Sequence, residues 1–201
     1  MVKEREIHRI MSAMLSIDGS TTALVISDLQ KGIVGRQTAP RASKVVVENA
    51  ARLAAAFRRR KMPVFLVRVT SSPDGKDALR PVADAAWPAQ AFSPDWAEIV
   101  PELGPEEGDL VITKRQWGAF YGTELDLECR RRGITTIVLC GIATNISIES
   151  TARFAYEYGY NQIFAEDAMS AMSAEEHAFT VTKTLPRLGL VRTTADVLAS
   201  L

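Results

Sequence analysis

Cysteine and histidine are scarce in this chain, which has 201 residues but only two of each. Two cysteines, Cys129 and Cys140, are too few for a disulfide framework in a chain of this size, and two histidines do not make a His-rich metal site. We therefore expect both cysteines to be buried structural thiols, and we expect no metal ion and no cofactor.

An excess of charge of one sign and long apolar runs are also missing. Lys plus Arg number 24 and so do Asp plus Glu, so the net charge is zero and nothing in the charge favours nucleic acid or an anionic membrane as a partner. No apolar run approaches the length of a membrane span, and the charged first nine residues lack the apolar stretch of a secretory signal. These absences predict a cytoplasmic protein, and zero net charge removes one guard against self-association.

The sequence does contain an alternation of short apolar runs with longer helical stretches. We predict strands at 23–26, 64–69, 110–113, 137–140, 162–165 and 190–193, and helices at 43–61, 125–132, 145–158 and 174–185. Alternating strands and helices predict an α/β fold, in which a parallel sheet has helices on both faces. Ser43 is the predicted N-cap of the first helix.

The stretch from 71 to 108 departs from this alternation. It contains six of the nine prolines together with Trp87, Phe92 and Trp96, and we interpret it as a long excursion between two strands of one sheet. Loops of this length are usually functional. We therefore predict one domain over residues 1–201, in which residues 1–20 form an N-terminal extension.

Candidate catalytic residues follow three of the predicted strands. Asp28 follows the first strand, Lys114 follows the third, and the segment 141–147, which contains Ser147, follows the fourth and opens a helix. Ligands bind at the carboxyl ends of strands in open parallel sheets, and a helix start offers N–H groups to a developing oxyanion. Taken singly, the three residues are equally compatible with a turn residue, a solvated charge and an ordinary helix residue.

The sequence around these positions resembles the isochorismatase-like hydrolases. The resemblance is carried, in order, by DLQ at 28–30, KRQWGAFYGTEL at 114–125, GIATN at 141–145, ESTAR at 149–153 and EDA at 166–168. It implies a six-stranded parallel sheet in a three-layer α/β/α sandwich of the Rossmann-like kind, and assembly into a homo-oligomer, a dimer or tetramer. It also implies an Asp–Lys–Cys triad and a cis peptide at Ile142–Ala143.

Serine stands where the resemblance implies the nucleophilic cysteine. Asp28 and Lys114 match the first two triad members, but the third falls on Ser147. Three explanations stay open: a natural branch in which Asp28 acts as a general acid on a vinyl ether, a working serine nucleophile acting on an amide, and an engineered replacement of cysteine. Beside these hydrolase hypotheses stands a catalytically weak protein that binds a small ligand on the same fold.

The predicted substrate-binding residues surround this triad. They are Gln30, Arg68, Trp87, Trp117, Phe120, Tyr121, Ile142 and Ala143. The aromatic side chains are predicted to wall the pocket, with core or subunit packing as the alternative for each. Arg68 is predicted to bind a substrate carboxylate, with a structural ion pair as its alternative. His177 is predicted to be a helix-surface or packing residue.

Overall fold

A single six-stranded sheet forms the centre of the molecule. The structure, a computed structural model, describes residues 16–85 and 93–201. The strands are β1 (Thr22–Ser27), β2 (Val64–Val69), β3 (Leu110–Lys114), β4 (Thr136–Ile142), β5 (Asn161–Ser170) and β6 (Leu190–Arg192). All neighbouring pairs are parallel, in the order β3-β2-β1-β4-β5-β6. The predicted α/β fold is confirmed.

Helices flank the sheet. They are α1 (Lys31–Val34), α2 (Ser43–Arg59), α3 (Leu125–Arg131), α4 (Glu149–Glu157), α5 (Ala174–Phe179) and α6 (Thr194–Ser200). The strand order grows in one direction from β1 to β3 and in the other from β4 to β6. Right-handed crossovers therefore place the connecting helices on opposite faces, which gives three layers. No helix within the described ranges is long and apolar enough to cross a membrane.

Three local predictions need correction. The predicted N-cap Ser43 is wrong, because α2 begins at Ser43 itself and the Ser43 hydroxyl donates to the carbonyl of Val34 at 2.5 Å. The predicted helix at 145–158 begins instead as a π-helical turn, Thr144–Ile148, and becomes α-helical only from Glu149. Helix 174–185 likewise continues after α5 as a π turn, Thr180–Thr184, because tertiary packing overrides local periodicity.

The core places β1 and β4 side by side where the strand order reverses. Every residue of β1 is buried, as is every residue of β4 after Thr136. Gly141 permits this approach, because a Cβ at that position would lie 1.9 Å from the carbonyl oxygen of Ser27. Gly141 also has a φ of +131°, which side chains disfavour. The ends of β1 and β4 are consequently held close together.

The end of the long excursion packs onto the segment that follows β1. The N–H of Lys31 donates to the carbonyl of Glu98, and the N–H of Gly32 donates to that of Trp96. A Cβ on Gly32 would lie 1.9 Å from Trp96 Cδ1, so only glycine allows the indole to approach this closely. The excursion thereby brings Trp96 to the carboxyl edge of the sheet.

Candidate active site

Asp28, Lys114 and Ser147 meet at the carboxyl edge of the sheet, although 86 residues separate the first two along the chain. Lys114 Nζ lies 2.8 Å from Asp28 Oδ2 and 2.9 Å from Ser147 Oγ. All three side chains are buried. The strand-end rule therefore selected three residues that the tertiary structure brings into direct contact.

Lys114 is fully engaged by its neighbours. An ammonium group has three N–H donors. Its partners here are the Asp28 carboxylate, the Ser147 hydroxyl and the carbonyl oxygen of Trp117. No donor is left for a substrate, so Lys114 acts by holding Asp28 and Ser147 and by its charge.

Asp28 combines burial with an uncompensated oxygen. Burial raises the pKa of Asp28 above its ordinary value of 3.8, while the charge and hydrogen bond of Lys114 oppose the rise. Oδ2 accepts from Lys114, whereas the buried Oδ1 has no hydrogen-bond partner among the described residues. A carboxyl group with a raised pKa and one uncommitted oxygen is suited to proton transfer.

Ser147 lies in the π-helical turn after β4. The peptide bond between Ile142 and Ala143 is cis, at the position that the resemblance implies. The carbonyl of Ala143 accepts from the N–H groups of Ile146 and Ile148, each at 3.2 Å. The first N–H groups of a helix lack partners within the helix, and such groups can donate to a negative charge.

A cavity of about 390 Å³ opens above the triad. Its walls are mainly apolar and its floor is polar. The residues that line it besides the triad are Ile33, Arg36, Val69, Trp96, Gln116, Trp117, Ile142, Ala143, Ile146 and Met172. A space of this size, with a few convergent polar groups, suits a small molecule.

Three of the predicted binding residues line this cavity: Trp117, Ile142 and Ala143. Trp117 is 55% exposed, so its ring lies at the mouth, whereas Ile142 and Ala143 are buried beside the floor. Trp87 lies outside the described residues.

The other four predicted binding residues are not among those lining the cavity. The Gln30 amide bonds to the backbone of Val69 and Trp96, and Arg68 Nε donates to Thr113 Oγ1 at 3.1 Å. Phe120 packs in the core, while Tyr121 is 65% exposed. Their substrate contacts stay a prediction; the contacts seen here are structural.

Arg36, Trp96 and Gln116 line the cavity without having been selected from the sequence. Gln116 lies within the KRQW motif, so the motif itself was a usable signal. Arg36 and Trp96 come from two loops that only the fold brings together, and no local pattern marks either of them.

A second polar cluster supports the turn that carries Ser147. His177 is buried, and its Nδ1 lies 2.8 Å from the hydroxyl of Thr144, the first residue of the turn. His177 Nε2 lies 3.1 Å from Glu166 Oε1, and Arg41 binds both Glu166 oxygens at 2.8 and 2.9 Å. These hydrogen bonds hold the pKa of Glu166 below its ordinary value of 4.5, and the hydrogen bond from His177 has the largest effect. His177 is thus a packing residue, hydrogen-bonded to the turn that carries Ser147.

We expect Glu166→Gln to lower the free energy of unfolding by about 2 kcal/mol at pH 7, because hydrogen bonds to an ionised group are lost. A carboxylate whose folded pKa is depressed stabilises above its unfolded pKa and loses that effect as pH falls. The difference from the parent should therefore shrink below about pH 4.5. Urea titrations between pH 3 and 8 measure it, with the exposed Glu107→Gln as control. An undiminished difference at pH 3 contradicts the ionic role.

The two cysteines do not take part in the site. Both are buried, and burial raises the pKa of the Cys129 thiol to about 12 and that of Cys140 further still. Neither thiol is a nucleophile near neutral pH. Among residues 16–85 and 93–201, no group of three or more His, Cys, Asp or Glu side chains is placed to hold a metal ion.

Comparison with known proteins agrees with the fold. Residues 22–196 match the Isochorismatase domain. The chain is 54% identical over 192 residues to the uncharacterized isochorismatase family protein YwoC of Bacillus subtilis, covering 94% of this chain and 98% of that protein. An isochorismatase family protein of Burkholderia thailandensis has a similar structure, with a TM-score of 0.89 and 47% identity, over 92% of this chain and 97% of that one. The structure of the N-carbamoylsarcosine amidase of Thermoplasma acidophilum is also similar, with a TM-score of 0.70 and 28% identity, over 87% of this chain and 96% of that one.

Proposed function

The chain belongs to the isochorismatase family of hydrolases, and from that membership we propose that it hydrolyses the C–N bond of a small amide with Ser147 as its nucleophile. The observation that carries the proposal is the placement of Lys114 Nζ at hydrogen-bond distance from both Asp28 and Ser147, on the floor of a cavity. The structural likeness to an amidase supports the amide as the substrate class.

The proposed reaction has two halves. Ser147 Oγ bonds to the carbonyl carbon, its proton goes to Asp28, and the carbonyl electrons form an oxyanion that the N–H groups at the start of the turn stabilise. The C–N bond then breaks, and Asp28 returns the proton to the leaving amine. Water attacks the resulting ester, again giving its proton to Asp28, which passes it to Ser147.

A second candidate is hydrolysis of a vinyl ether without a protein nucleophile. The raised pKa of Asp28 and its uncommitted Oδ1 favour it, because a general acid must hold a proton near neutral pH. Asp28 would protonate the vinyl carbon, and water would add to the resulting cation and return a proton to Asp28. The hemiketal formed in this way would then break at its ether C–O bond, with transfer of the hydroxyl proton to the departing oxygen, to release a ketone and an alcohol. Ser147 would then only bind substrate or water.

We expect Ser147→Cys to raise turnover of an amide more than tenfold, because the helix start and Lys114 stabilise a thiolate far more readily than an alkoxide. The assay compares parent, Ser147→Cys and Ser147→Ala on N-carbamoylsarcosine and on isochorismate, with product measured by mass spectrometry. Ser147→Ala should lose amide hydrolysis.

The vinyl-ether outcome has a different signature. Isochorismate hydrolysis that survives Ser147→Ala but fails in Asp28→Asn would replace the nucleophilic proposal with acid catalysis. Saturable binding of both compounds, with no turnover by the parent or by Ser147→Cys, would indicate a binding protein instead.

A further inference from the structure

The hydroxyl of Ser27 contacts the proposed nucleophile directly. Ser27 is the last residue of β1 and is fully buried, and its Oγ lies 2.7 Å from Ser147 Oγ. Either oxygen can be the donor in this hydrogen bond. The Ser27 hydroxyl therefore lies directly against the oxygen that is proposed to attack the substrate.

The direction of this hydrogen bond decides what Ser147 can do. A hydroxyl has one O–H donor and two lone pairs. One lone pair of Ser147 Oγ already accepts from Lys114 Nζ. If Ser27 donates, both lone pairs are occupied and the oxygen cannot attack. If Ser147 donates to Ser27, one lone pair stays open toward the cavity.

Lys114 cannot accept the proton that Ser147 must lose. Its three N–H groups are committed to Asp28, Ser147 and the Trp117 carbonyl, and an ammonium accepts no hydrogen bond. The proton of Ser147 must therefore leave through another neighbour, and Ser27 Oγ, at 2.7 Å, is placed to accept it.

The Ser27 hydroxyl and Asp28 Oδ1 are a complementary donor and acceptor. When Ser147 donates to Ser27, the Ser27 O–H needs an acceptor. Asp28 Oδ1 is a buried acceptor for which the described residues provide no donor at hydrogen-bond distance. Ser27 and Asp28 are adjacent in sequence, and hydrogen bonding by the Ser147 and Ser27 hydroxyls lowers the pKa of the Asp28 carboxyl. The carboxyl is thus within the influence of both hydroxyls.

We propose that Ser27 is a further catalytic residue, which relays the proton of Ser147 to Asp28 Oδ1. As Ser147 Oγ bonds to the carbonyl carbon, its proton moves to Ser27 Oγ and the Ser27 proton moves to Asp28. The carbonyl oxygen takes up the displaced electron pair. Asp28 then gives this proton to the leaving amine as the C–N bond breaks. When water attacks the ester, Asp28 takes a proton from the water, and the relay runs in reverse to return a proton through Ser27 to Ser147 Oγ as the ester C–O bond breaks. This relay rests on the proposed function, because it needs Ser147 to act as a nucleophile.

The test uses an alkyl fluorophosphonate, which reacts with activated serine hydroxyls and needs no knowledge of the substrate. Phosphonylation of the full chain is followed by intact mass, and the modified residue is located by peptide mapping. We expect Ser147 to be modified, Ser147→Ala to be inert, and Ser27→Ala to react about 100-fold more slowly. Ser27→Thr, which keeps the hydroxyl, should recover most of the rate. The exposed Ser20→Ala serves as the matched control, with thermal midpoints recorded for all variants.

A proton inventory on the parent protein separates a relay from a packing role. The phosphonylation rate is measured in mixtures of light and heavy water. If two protons move in the rate-limiting step, the rate depends on the deuterium fraction along a curve. If one proton moves, the dependence is a straight line. A straight line for the parent, or an unchanged rate in folded Ser27→Ala, overturns the relay and leaves the proposed nucleophile in place. Absence of any modification at Ser147 overturns the nucleophile, and the relay with it.

Discussion

Replacing Asp28 with asparagine is expected to reduce kcat/KM about 1000-fold, whichever of the two proposed reactions the protein performs. Asparagine keeps the size of the side chain and can still accept a hydrogen bond from Lys114. It can neither take up nor deliver a proton, and positioned acid–base groups contribute factors of about 10² to 10⁴.

The measurement needs a control for folding, because Asp28→Asn also removes the counter-charge of Lys114. Thermal midpoints are therefore recorded first, and activity is assayed well below the lower midpoint. Asp84→Asn changes an exposed carboxylate in the same manner and should keep full activity. Activity within about tenfold of the parent in folded Asp28→Asn would remove Asp28 from the proton-transfer role.

Replacing Lys114 with methionine is expected to lower the free energy of unfolding by about 3–5 kcal/mol at pH 7. Methionine fills a similar volume, but it leaves the buried Asp28 carboxylate without its cation, and breaking a buried ion pair from one side has this magnitude of cost. Ser147 and the Trp117 carbonyl lose a donor at the same time.

The destabilisation by Lys114→Met should depend on pH. Burial already raises the pKa of Asp28, and removing Lys114 takes away the charge that opposes the rise. A carboxyl group whose pKa is higher in the folded than in the unfolded protein destabilises the folded state. This destabilisation grows as pH rises from the unfolded pKa, near 3.8, through the folded pKa. Lys114→Met should accordingly lower the free energy of unfolding less at pH 4 than at pH 7.

The double variant Asp28→Asn/Lys114→Met provides the matching comparison. It removes both charges and should recover part of the stability at pH 7, so that the two substitutions are strongly non-additive. The exposed Lys183→Met should stay within about 0.5 kcal/mol of the parent. A small, pH-independent effect of Lys114→Met would contradict a buried, mutually dependent pair.

The fold could be predicted from the sequence to a large extent. The run ALVI at 23–26 and its later counterparts are too short for helices and too continuous for half-exposed strands, which leaves buried parallel strands. The boundaries were less predictable: β5 extends to Ser170, beyond the predicted end at 165, and continues through Glu166. Within this extension, Arg41 and His177 provide hydrogen-bond partners for the Glu166 carboxylate, and these contacts come from distant parts of the sequence.

The candidate site, like the fold, could be predicted from the sequence only in part. Asp28, Lys114 and Ser147 could be selected because parallel strands end at one edge of the sheet, so residues at or just after the strand ends share that edge. Ser27 could not, because a serine within a buried strand gives no sign of what it faces. Arg36 and Trp96 were missed for a similar reason, since loop packing decides what lines a cavity.

By itself, the sequence determined the α/β class, the edge of the sheet that carries the site and the serine at the position of the implied cysteine. These properties follow from periodicity, chain direction and residue type, which are local. Only the tertiary structure decided that all donors of Lys114 are committed and that Ser27 contacts Ser147. It also decided that one Asp28 oxygen has no hydrogen-bond partner in the part of the chain that the structure describes. Hydrogen-bond saturation depends on every group within about 3 Å, and residues from β1, β3 and β4 reach that distance only once the sheet has formed.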